Sequence, residues 1–200
     1  YYDVMEAPLG ALDLLVCDVS GHGIASTVLM STARAYLRAL HLVEADPQRL
    51  LEKLNRLMTP DIPDDAFATL VACRIQPAGE ACYVSAGHLP PLVYRARSRS
   101  FDRLEETDLV LGWSTTTTYR AFDIEPLSPG DLVILATDGL YEASSPDGLL
   151  WGVNAVRDVI ADAAHEGAHG IIEALRAGVF GHAEKLFLED DITLLVAEKV

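Results

Sequence analysis

The sequence predicts an α+β fold, with antiparallel sheets packed together and helices outside them. Its 200 residues, half of them hydrophobic, match the size of one domain and suffice for a core without disulfides. The predicted order is one strand, two helices, a run of strands, two helices and a last strand. Because the middle strands follow one another without intervening helices, they predict antiparallel pairing in a single domain over residues 1–200.

The first third of the chain contains one predicted strand and two predicted helices. Residues 11–19 are a short apolar run closed by a glycine-rich turn, which is typical of a buried strand. Residues 24–41, rich in Ala and Leu, predict a helix that starts after Gly23. A second helix is predicted over 47–58, since Asp46 is a suitable N-cap, a proline follows it and another proline comes just after the end.

The rest of the chain changes to strand-forming residues with a period of two, separated by turns that contain glycine and proline. Two helical patterns then precede a final strand. The predicted strands are 66–76, 81–86, 91–96, 101–104, 119–125, 131–137 and 191–198, and the predicted helices lie near 152–164 and 168–178.

Composition excludes several classes of function. The chain has 30 acidic and 15 basic residues, a net charge of -15. Phosphate contacts need a basic face, so a nucleic-acid binder is excluded and an anionic membrane surface is disfavoured. Each stretch of about 18 residues contains a charge, so the sequence predicts no membrane span.

The cysteines and the first residues of the chain bear on the cellular compartment and on whether the sequence is part of a longer protein. Cys17, Cys73 and Cys82 each lie in an apolar run and cannot all pair with one another, which predicts free thiols in a reducing cytoplasm. The start carries no signal peptide and no initiator Met, and it enters an ordered pattern at once. We therefore expect the sequence to be a fragment of a longer protein, without its first strand.

Carboxylates stand at the ends of apolar strands, where burial is expensive unless the charge is paired or bound to a cation. Asp18 ends the run LLVCD, Asp138 ends LVILATD, and Asp190 with Asp191 precedes ITLLV. Asp is also a common turn residue, which is the plainer interpretation of any one of them. The neighbouring glycines favour close approach of a ligand, and hard cations such as Mg²⁺ and Mn²⁺ take such oxygen ligands.

Four segments in this order carry a resemblance to a known family. They are CysAspValSerGlyHisGly at 17–23, AlaGlyHisLeuProPro at 86–91, ThrAspGly at 137–139 and AspAspIleThr at 190–193. Further likeness lies in PheAlaThrLeu at 67–70, SerProGlyAsp at 128–131 and the Leu111–Gly112 pair. The chain resembles the SpoIIE/RsbU-type branch of the metal-dependent PPM protein serine/threonine phosphatases over essentially its whole length.

The resemblance implies a PPM-type antiparallel β-sandwich flanked by helices, in α-β-β-α layers. It implies hydrolysis of phosphoserine or phosphothreonine by a metal-activated water, with two Mg²⁺ or Mn²⁺ ions. The typical substrate is a phosphorylated STAS-domain anti-anti-sigma protein in a bacterial signalling pathway. By family habit a PAS, GAF or receiver domain precedes such a chain, and a homodimer through the first helices is compatible with the residues.

The resemblance also implies a role for each matched residue. Asp18 would bridge two metals, and the backbone carbonyl of Val19 would ligate the second. Asp138 and Asp190 would hold the first metal, so that these three carboxylates form the predicted catalytic centre. Asp191 is a weaker candidate, at a position where relatives often have Asn or Asp.

Neighbouring residues of these motifs are candidates for supporting roles. These weaker candidates are Gly139, Ser20, Gly21 and His22. His22 could serve as a general acid, but a role in the turn is favoured. Ser20 lacks the G-x-S-x-G context of a hydrolase nucleophile, and Gly21 precedes a helix without the Gly-Lys-Ser/Thr of a P-loop.

The sequence departs from the family at one point that matters. Relatives carry Gly-Gly-Asp directly before the aromatic pair matched by Tyr1 and Tyr2, and that Asp is absent here. The first metal site is therefore better supported than the second. The alternative function is a catalytically weak or inactive phosphatase-like module that binds a signalling partner.

Other polar residues receive plain interpretations. Arg34 and Arg38 are expected on a solvated helix face, and His88 is expected to make a structural hydrogen bond in a turn. Glu142 lies just past the third motif and is expected to support the site or to be exposed. The histidines at 41, 165, 169 and 182 lack metal-ligand spacing and are expected at the surface.

Overall fold

A computed structural model of the chain describes residues 1–63, 65–104, 106–184, 188 and 190–200. The chain divides into two compact units. Unit 1 comprises Tyr1–Pro90 and Glu105–Pro126, and unit 2 comprises Pro91–Leu104 and Leu127–Val200.

Strands and helices occur in the predicted order, with one additional strand at the start. The strands are β1 (Tyr2–Glu6), β2 (Leu12–Val19), β3 (Ala68–Ile75), β4 (Ala81–Ala86), β5 (Leu92–Arg95), β6 (Ser100–Phe101), β7 (Ala121–Ile124), β8 (Leu132–Ala136) and β9 (Leu194–Glu198). The helices are α1 (Ile24–His41), α2 (Pro47–Met58), α3 (Gly152–Ala163) and α4 (Gly167–Ala183).

Unit 1 is an antiparallel sheet covered by two helices. Its strand order is β1-β2-β3-β4-β7. Helix α1 buries Leu29, Ala33 and Leu37, which recur every four residues and therefore lie on one face. Together with the apolar face of α2 they pack on the side chains of β2 and β3, including Leu15 and Leu70. Each fully buried Leu contributes roughly 1.5–3 kcal/mol to this packing.

Helix α2 begins and ends where the sequence predicts. The Asp46 carboxylate accepts a hydrogen bond from the Gln48 N–H at 2.9 Å, which satisfies one free donor of the first turn. The helix ends at Met58, two residues before a proline. The predicted capping residue is thus confirmed.

Unit 2 has the same two-layer plan. Its antiparallel strand order is β6-β5-β8-β9. All five residues of β8 are buried, and this central strand pairs with β5 on one side and β9 on the other. The α3 residues Val156 and Ile160 pack against the sheet with Ile171, Leu175 and Val179 of α4. The α+β prediction of antiparallel sheets with helices is confirmed in both units.

Two charged contacts correct the expectation of surface positions. His41 is largely buried, and its Nε2 lies 3.0 Å from the Asp13 carboxylate, which also forms a bidentate ion pair with Arg74 at 2.7 Å. The interpretation of His41 as a surface residue is therefore wrong. Arg38 makes a bidentate contact of 2.8 Å with the buried Asp3 carboxylate, which ties α1 to β1 instead of leaving a free helix face.

The remaining expectations about cysteines and membranes can be compared with the described residues. All three cysteines are free, and Cys17 and Cys73 are buried. None of the helices in the part of the chain that the structure describes is long and apolar enough to cross a membrane.

Candidate active site

In unit 2, Asp138 lies on a turn at the end of a buried strand. The 3-10 turn Asp138–Leu140 follows β8 and Thr137. The Asp138 carbonyl accepts hydrogen bonds at 2.8 Å from the N–H groups of Tyr141 and Glu142, which fixes the turn. The Asp138 side chain is exposed while Gly139 and Leu140 are buried. The turn therefore presents one carboxylate to solvent on a rigid base.

The segment before β9 lies against this turn. Thr137 and Thr193 are joined twice, by a backbone bond of 3.1 Å and by the Thr193 N–H donating to the Thr137 hydroxyl at 2.9 Å. The same hydroxyl donates to the Asp191 carbonyl at 3.3 Å. Because β8 and β9 are antiparallel, the residue that follows one and the residues that precede the other share one edge of the sheet. Asp138 is thus brought beside the exposed residues Asp190 and Asp191.

Gly139 is the point of closest contact between these two turns. A β-carbon at this position would lie 2.5 Å from the Asp191 carbonyl oxygen and 3.6 Å from the Asp190 Cβ. A side chain would therefore push the two turns apart. The Asp190 carboxylate accepts a hydrogen bond from the Asp191 N–H at 2.7 Å, which orients it within its own turn.

In unit 1, the predicted motif at 17–23 forms the turn between β2 and α1. Asp18 is half-buried, is the last residue but one of β2, and lies opposite Thr69 on β3. Ser20 closes the turn, because its N–H donates to the Phe67 carbonyl at 3.0 Å and its hydroxyl accepts from the Phe67 N–H at 2.9 Å. The Ser20 hydroxyl thus has a structural role. Val19 is buried beside it.

The glycines of this motif have positive φ angles that favour glycine, 84° at Gly21 and 87° at Gly23. They lead the chain from β2 into α1, and His22 between them is exposed.

Thr69 is the residue of this region that the sequence analysis missed. Its hydroxyl lies 2.7 Å from Nδ1 of the buried His88, and the His88 carbonyl accepts from the Ser85 hydroxyl at 2.7 Å. Because Thr69 is the cross-strand partner of Asp18, it places the second predicted motif beside the first. The period-two pattern of 66–76, together with the likeness at 67–70, could have indicated this position.

Burial controls the ionisation of two neighbours. Complete burial, with a smaller contribution from the charge of Asp18, raises the pKa of the Cys17 thiol to about 12. Burial likewise raises the pKa of Tyr141, next to the Asp138 turn, to about 12. Both groups are therefore neutral at physiological pH in the chain without a cation, and the carboxylates remain the candidate donors.

The donor chemistry fits a hard divalent cation. Mg²⁺ is commonly bound through one or two carboxylates and keeps several waters. The exposed Asp138 and Asp190, on the two turns that meet at Gly139, are the candidate ligands in unit 2. Among the residues that the structure describes, no three His, Cys, Asp or Glu side chains form a ready-made metal site. Waters would thus have to complete the coordination.

Similarity to known proteins decides the family. Residues 8–200 match the family model described as Stage II sporulation protein E (SpoIIE). The chain belongs to the SpoIIE family. It is 27% identical over 193 residues to the phosphoserine phosphatase RsbU of Bacillus subtilis. The aligned region covers 94% of this chain and 56% of RsbU. The chain thus spans about half the length of this relative.

Solved structures agree with the SpoIIE assignment. The RsbU and RsbW domains of Rv1364c from Mycobacterium tuberculosis superpose with a TM-score of 0.81 at 27% identity, covering 98% of this chain and 55% of that one. The SiaA-PP2C domain of Pseudomonas aeruginosa gives a TM-score of 0.82 at 20% identity, covering 99% and 78%. The predicted family and its PP2C-like α+β fold are therefore confirmed.

Proposed function

We propose that this chain is a metal-dependent phosphatase domain that hydrolyses phosphoserine or phosphothreonine on a signalling protein. The observation that carries the proposal is the packing of the Asp138–Gly139 turn against Asp190–Asp191 in a member of the SpoIIE family. This packing brings two turns that carry exposed Asp residues into contact at the end of a buried strand, which supports a cation site there. RsbU, a relative of similar sequence, is named a phosphoserine phosphatase.

The proposed ligands are those that the family resemblance implies. Asp138 and Asp190 would hold the first cation, either Mg²⁺ or Mn²⁺. Asp18 would bridge the two cations, and the Val19 carbonyl would complete the second site. Asp191 is the weaker candidate, at a position where relatives often have Asn or Asp.

The cations, when bound, supply an activated water and offset charge on the phosphoryl oxygens. The chain's own residues position the ligands. Ser20 and Phe67 hold the Asp18 turn through two backbone-directed hydrogen bonds. Thr137 holds the Asp190–Asp191 segment against the Asp138 turn. Positioning and electrostatic stabilisation account for most of the catalysis of phosphoryl transfer.

The register of β1 bears on the second cation. The Tyr1 and Cys17 backbones exchange hydrogen bonds of 2.8 and 2.9 Å, so they form an antiparallel pair. A residue directly before Tyr1 would therefore lie opposite Asp18. That is the position of the family's Gly-Gly-Asp carboxylate, so a longer chain carrying it would add a donor beside Asp18.

The proposed substrate is a phosphorylated STAS-domain anti-anti-sigma protein, and the proposed location is the cytoplasm. The substrate follows from the resemblance to RsbU-type phosphatases, as does an upstream sensor or receiver domain. The free cysteines are consistent with a reducing compartment.

The test is release of p-nitrophenol from p-nitrophenyl phosphate across a Mn²⁺ titration. Asp138→Asn should lower turnover by about 100-fold or more, because it removes a ligand while preserving shape. The matched control is Asp158→Asn, an exposed carboxylate on α3, which should leave turnover unchanged. Undiminished activity in Asp138→Asn would contradict the assignment. If calorimetry shows Mn²⁺ binding but no chain turns over, the interaction-module alternative is favoured.

A further inference from the structure

Unit 1 carries an exposed tryptophan on a loop that is held rigidly. Trp113 is 73% exposed. The fully buried Asn55 on α2 holds the loop on both sides, since its amide accepts from the Gly112 N–H at 2.9 Å and donates to the Ser114 carbonyl at 2.6 Å. Gly112 also packs so closely on Ile62 that a β-carbon there would lie 2.6 Å from it. The fold thus fixes the backbone of Trp113 and leaves its ring in solvent.

The loop lies at the same end of the sheet as the Asp18 turn. Val19 pairs with Ala68 across β2 and β3. Ala68 in turn pairs with Leu111 through backbone bonds of 2.8 and 3.3 Å. Leu111 is therefore two strand spacings, about 10 Å, from Val19. Because this segment runs antiparallel to β3, Trp113 continues past the row formed by Ser20 and Phe67.

Further apolar side chains are exposed on neighbouring backbone. Phe67 is hydrogen-bonded to Ser20, and Leu89 follows the buried His88. Leu109 lies beside Asp108, whose carbonyl accepts from the Gly87 N–H at 2.8 Å. Phe67, Leu89, Leu109 and Trp113 are each 45% exposed or more. We call these four residues the Trp113 surface.

We propose that the Trp113 surface is the docking site for the phosphoprotein substrate, with Trp113 as its central specificity-determining residue. This inference rests on the proposed function. A standard interface buries about 800 Å² on each partner, a disc of about 16 Å radius. A folded substrate whose phosphate reaches the Asp18 turn therefore covers the neighbouring loop, whose Leu111 lies about 10 Å from Val19. Rigid, exposed tryptophans are the residues that dominate such interfaces.

Charge supports an apolar docking site for this occupant. The chain carries a net charge of -15 and a phosphoprotein is locally anionic, so long-range attraction does not favour their encounter. Of the charged residues in this loop, Asp108 is paired with Arg120 at 3.1 Å. The cations of the proposed site would offset the charge of the phosphate, and the apolar Trp113 surface would supply affinity for the rest of the protein substrate.

The experiment compares two substrates in the same assay with Mn²⁺. The protein substrate is a phosphoserine STAS-domain protein, and the small one is p-nitrophenyl phosphate, which has no protein surface to dock. Trp113→Ala should lower kcat/KM for the protein substrate at least about tenfold and leave kcat/KM for p-nitrophenyl phosphate unchanged. Trp113→Phe should recover part of the loss. Leu9→Ala is the matched control, because Leu9 is an exposed apolar residue of unit 1 at the far end of β2.

Calorimetric titration of the same STAS-domain protein gives a second readout that needs no turnover. Binding should weaken at least about tenfold in Trp113→Ala and stay unchanged in Leu9→Ala. Equal losses with both substrates would show that Trp113 supports the fold rather than docking, and no change in either kcat/KM or affinity would also overturn the inference. If the unaltered chain hydrolyses neither substrate, the proposed function fails while the titration still decides the docking site.

Discussion

Gly139 lies directly against the backbone carbonyl of Asp191, at a distance that admits no side chain. This contact sets the spacing between the Asp138 turn and the segment that precedes β9. Gly139→Ala should lower Mn²⁺-dependent turnover at least about tenfold and destabilise the fold by about 1–3 kcal/mol, since the added methyl group must displace backbone. Turnover and urea unfolding measure the two effects.

The matched control is Gly181→Ala on α4, where an added β-carbon has nothing within 4 Å. This substitution should raise stability by about 0.5–1 kcal/mol, because alanine favours a helix interior over glycine. Equal behaviour of the two variants would mean that the Gly139 contact does not constrain the site.

Thr69 should affect turnover although it touches neither proposed cation. Thr69→Val keeps the shape but removes the hydroxyl that lies 2.7 Å from His88 Nδ1, and it alters the neighbour of Asp18 across the strands. We expect a loss of about 10- to 100-fold in kcat for p-nitrophenyl phosphate, as for groups that position metal ligands. Thr118→Val, at an exposed position before β7, should leave kcat unchanged. A normal kcat in Thr69→Val would show that the contact between Thr69 and His88 does not contribute to catalysis.

Asn55 should be essential for the stability of unit 1. Its side chain is fully buried and supplies the hydrogen-bond partners of the Gly112 N–H and the Ser114 carbonyl. Asn55→Ala leaves those two backbone groups without their partner and should lower the free energy of unfolding by about 2–4 kcal/mol. Asn154→Ala, an exposed position on α3, should change it by less than about 0.5 kcal/mol. Urea denaturation of both variants checks the difference.

Asp131 should contribute to stability in a pH-dependent way. Burial pushes the pKa of Asp131 upward, but hydrogen bonds from the Ser128 and Ala96 N–H groups and from Arg95 outweigh it and hold that pKa below its usual range. Since the unfolded carboxylate binds protons more readily, its contribution is complete above the unfolded pKa and is lost as the pH falls through the folded pKa.

Asp131→Asn should therefore cost about 2–3 kcal/mol at pH 7, and the difference from the unaltered chain should shrink below about pH 4. Urea unfolding of both chains at evenly spaced pH values between about 3 and 7 measures this difference in the free energy of unfolding. Asp147→Asn, an exposed loop position, should show no such difference. A cost for Asp131→Asn that stays constant down to about pH 3 would contradict the depressed pKa.

Local signals made several elements predictable. Helix α2 was predictable to the residue because its cap and the flanking prolines act within a few residues of each end. Strand β8 was predictable because it is short, apolar and followed by a glycine turn. The acidic ends of β2 and β8 were recognisable for the same reason, since a carboxylate breaks an otherwise apolar run.

Long-range contacts were not predictable. Strand β1 exposes Tyr2 and Val4 and buries Asp3, which inverts the usual pattern of a strand. It is stabilised by pairing with β2, which its own sequence does not indicate. His41 is largely buried because Asp13 and Arg74 on two strands face the end of α1. Helix α4 continues past the predicted end at residue 178, because Gly178 packs against Trp151 and the apolar face persists to Ala183.

The most direct test of the central claim is phosphate release from a phosphoserine STAS-domain protein, with and without Mn²⁺. It should be run on this chain and on one extended upstream by the family's Gly-Gly-Asp. We predict Mn²⁺-dependent release that Asp138→Asn abolishes, and faster release in the extended chain because a carboxylate then lies opposite Asp18. Release that is independent of metal, or absent from both chains, would contradict the account.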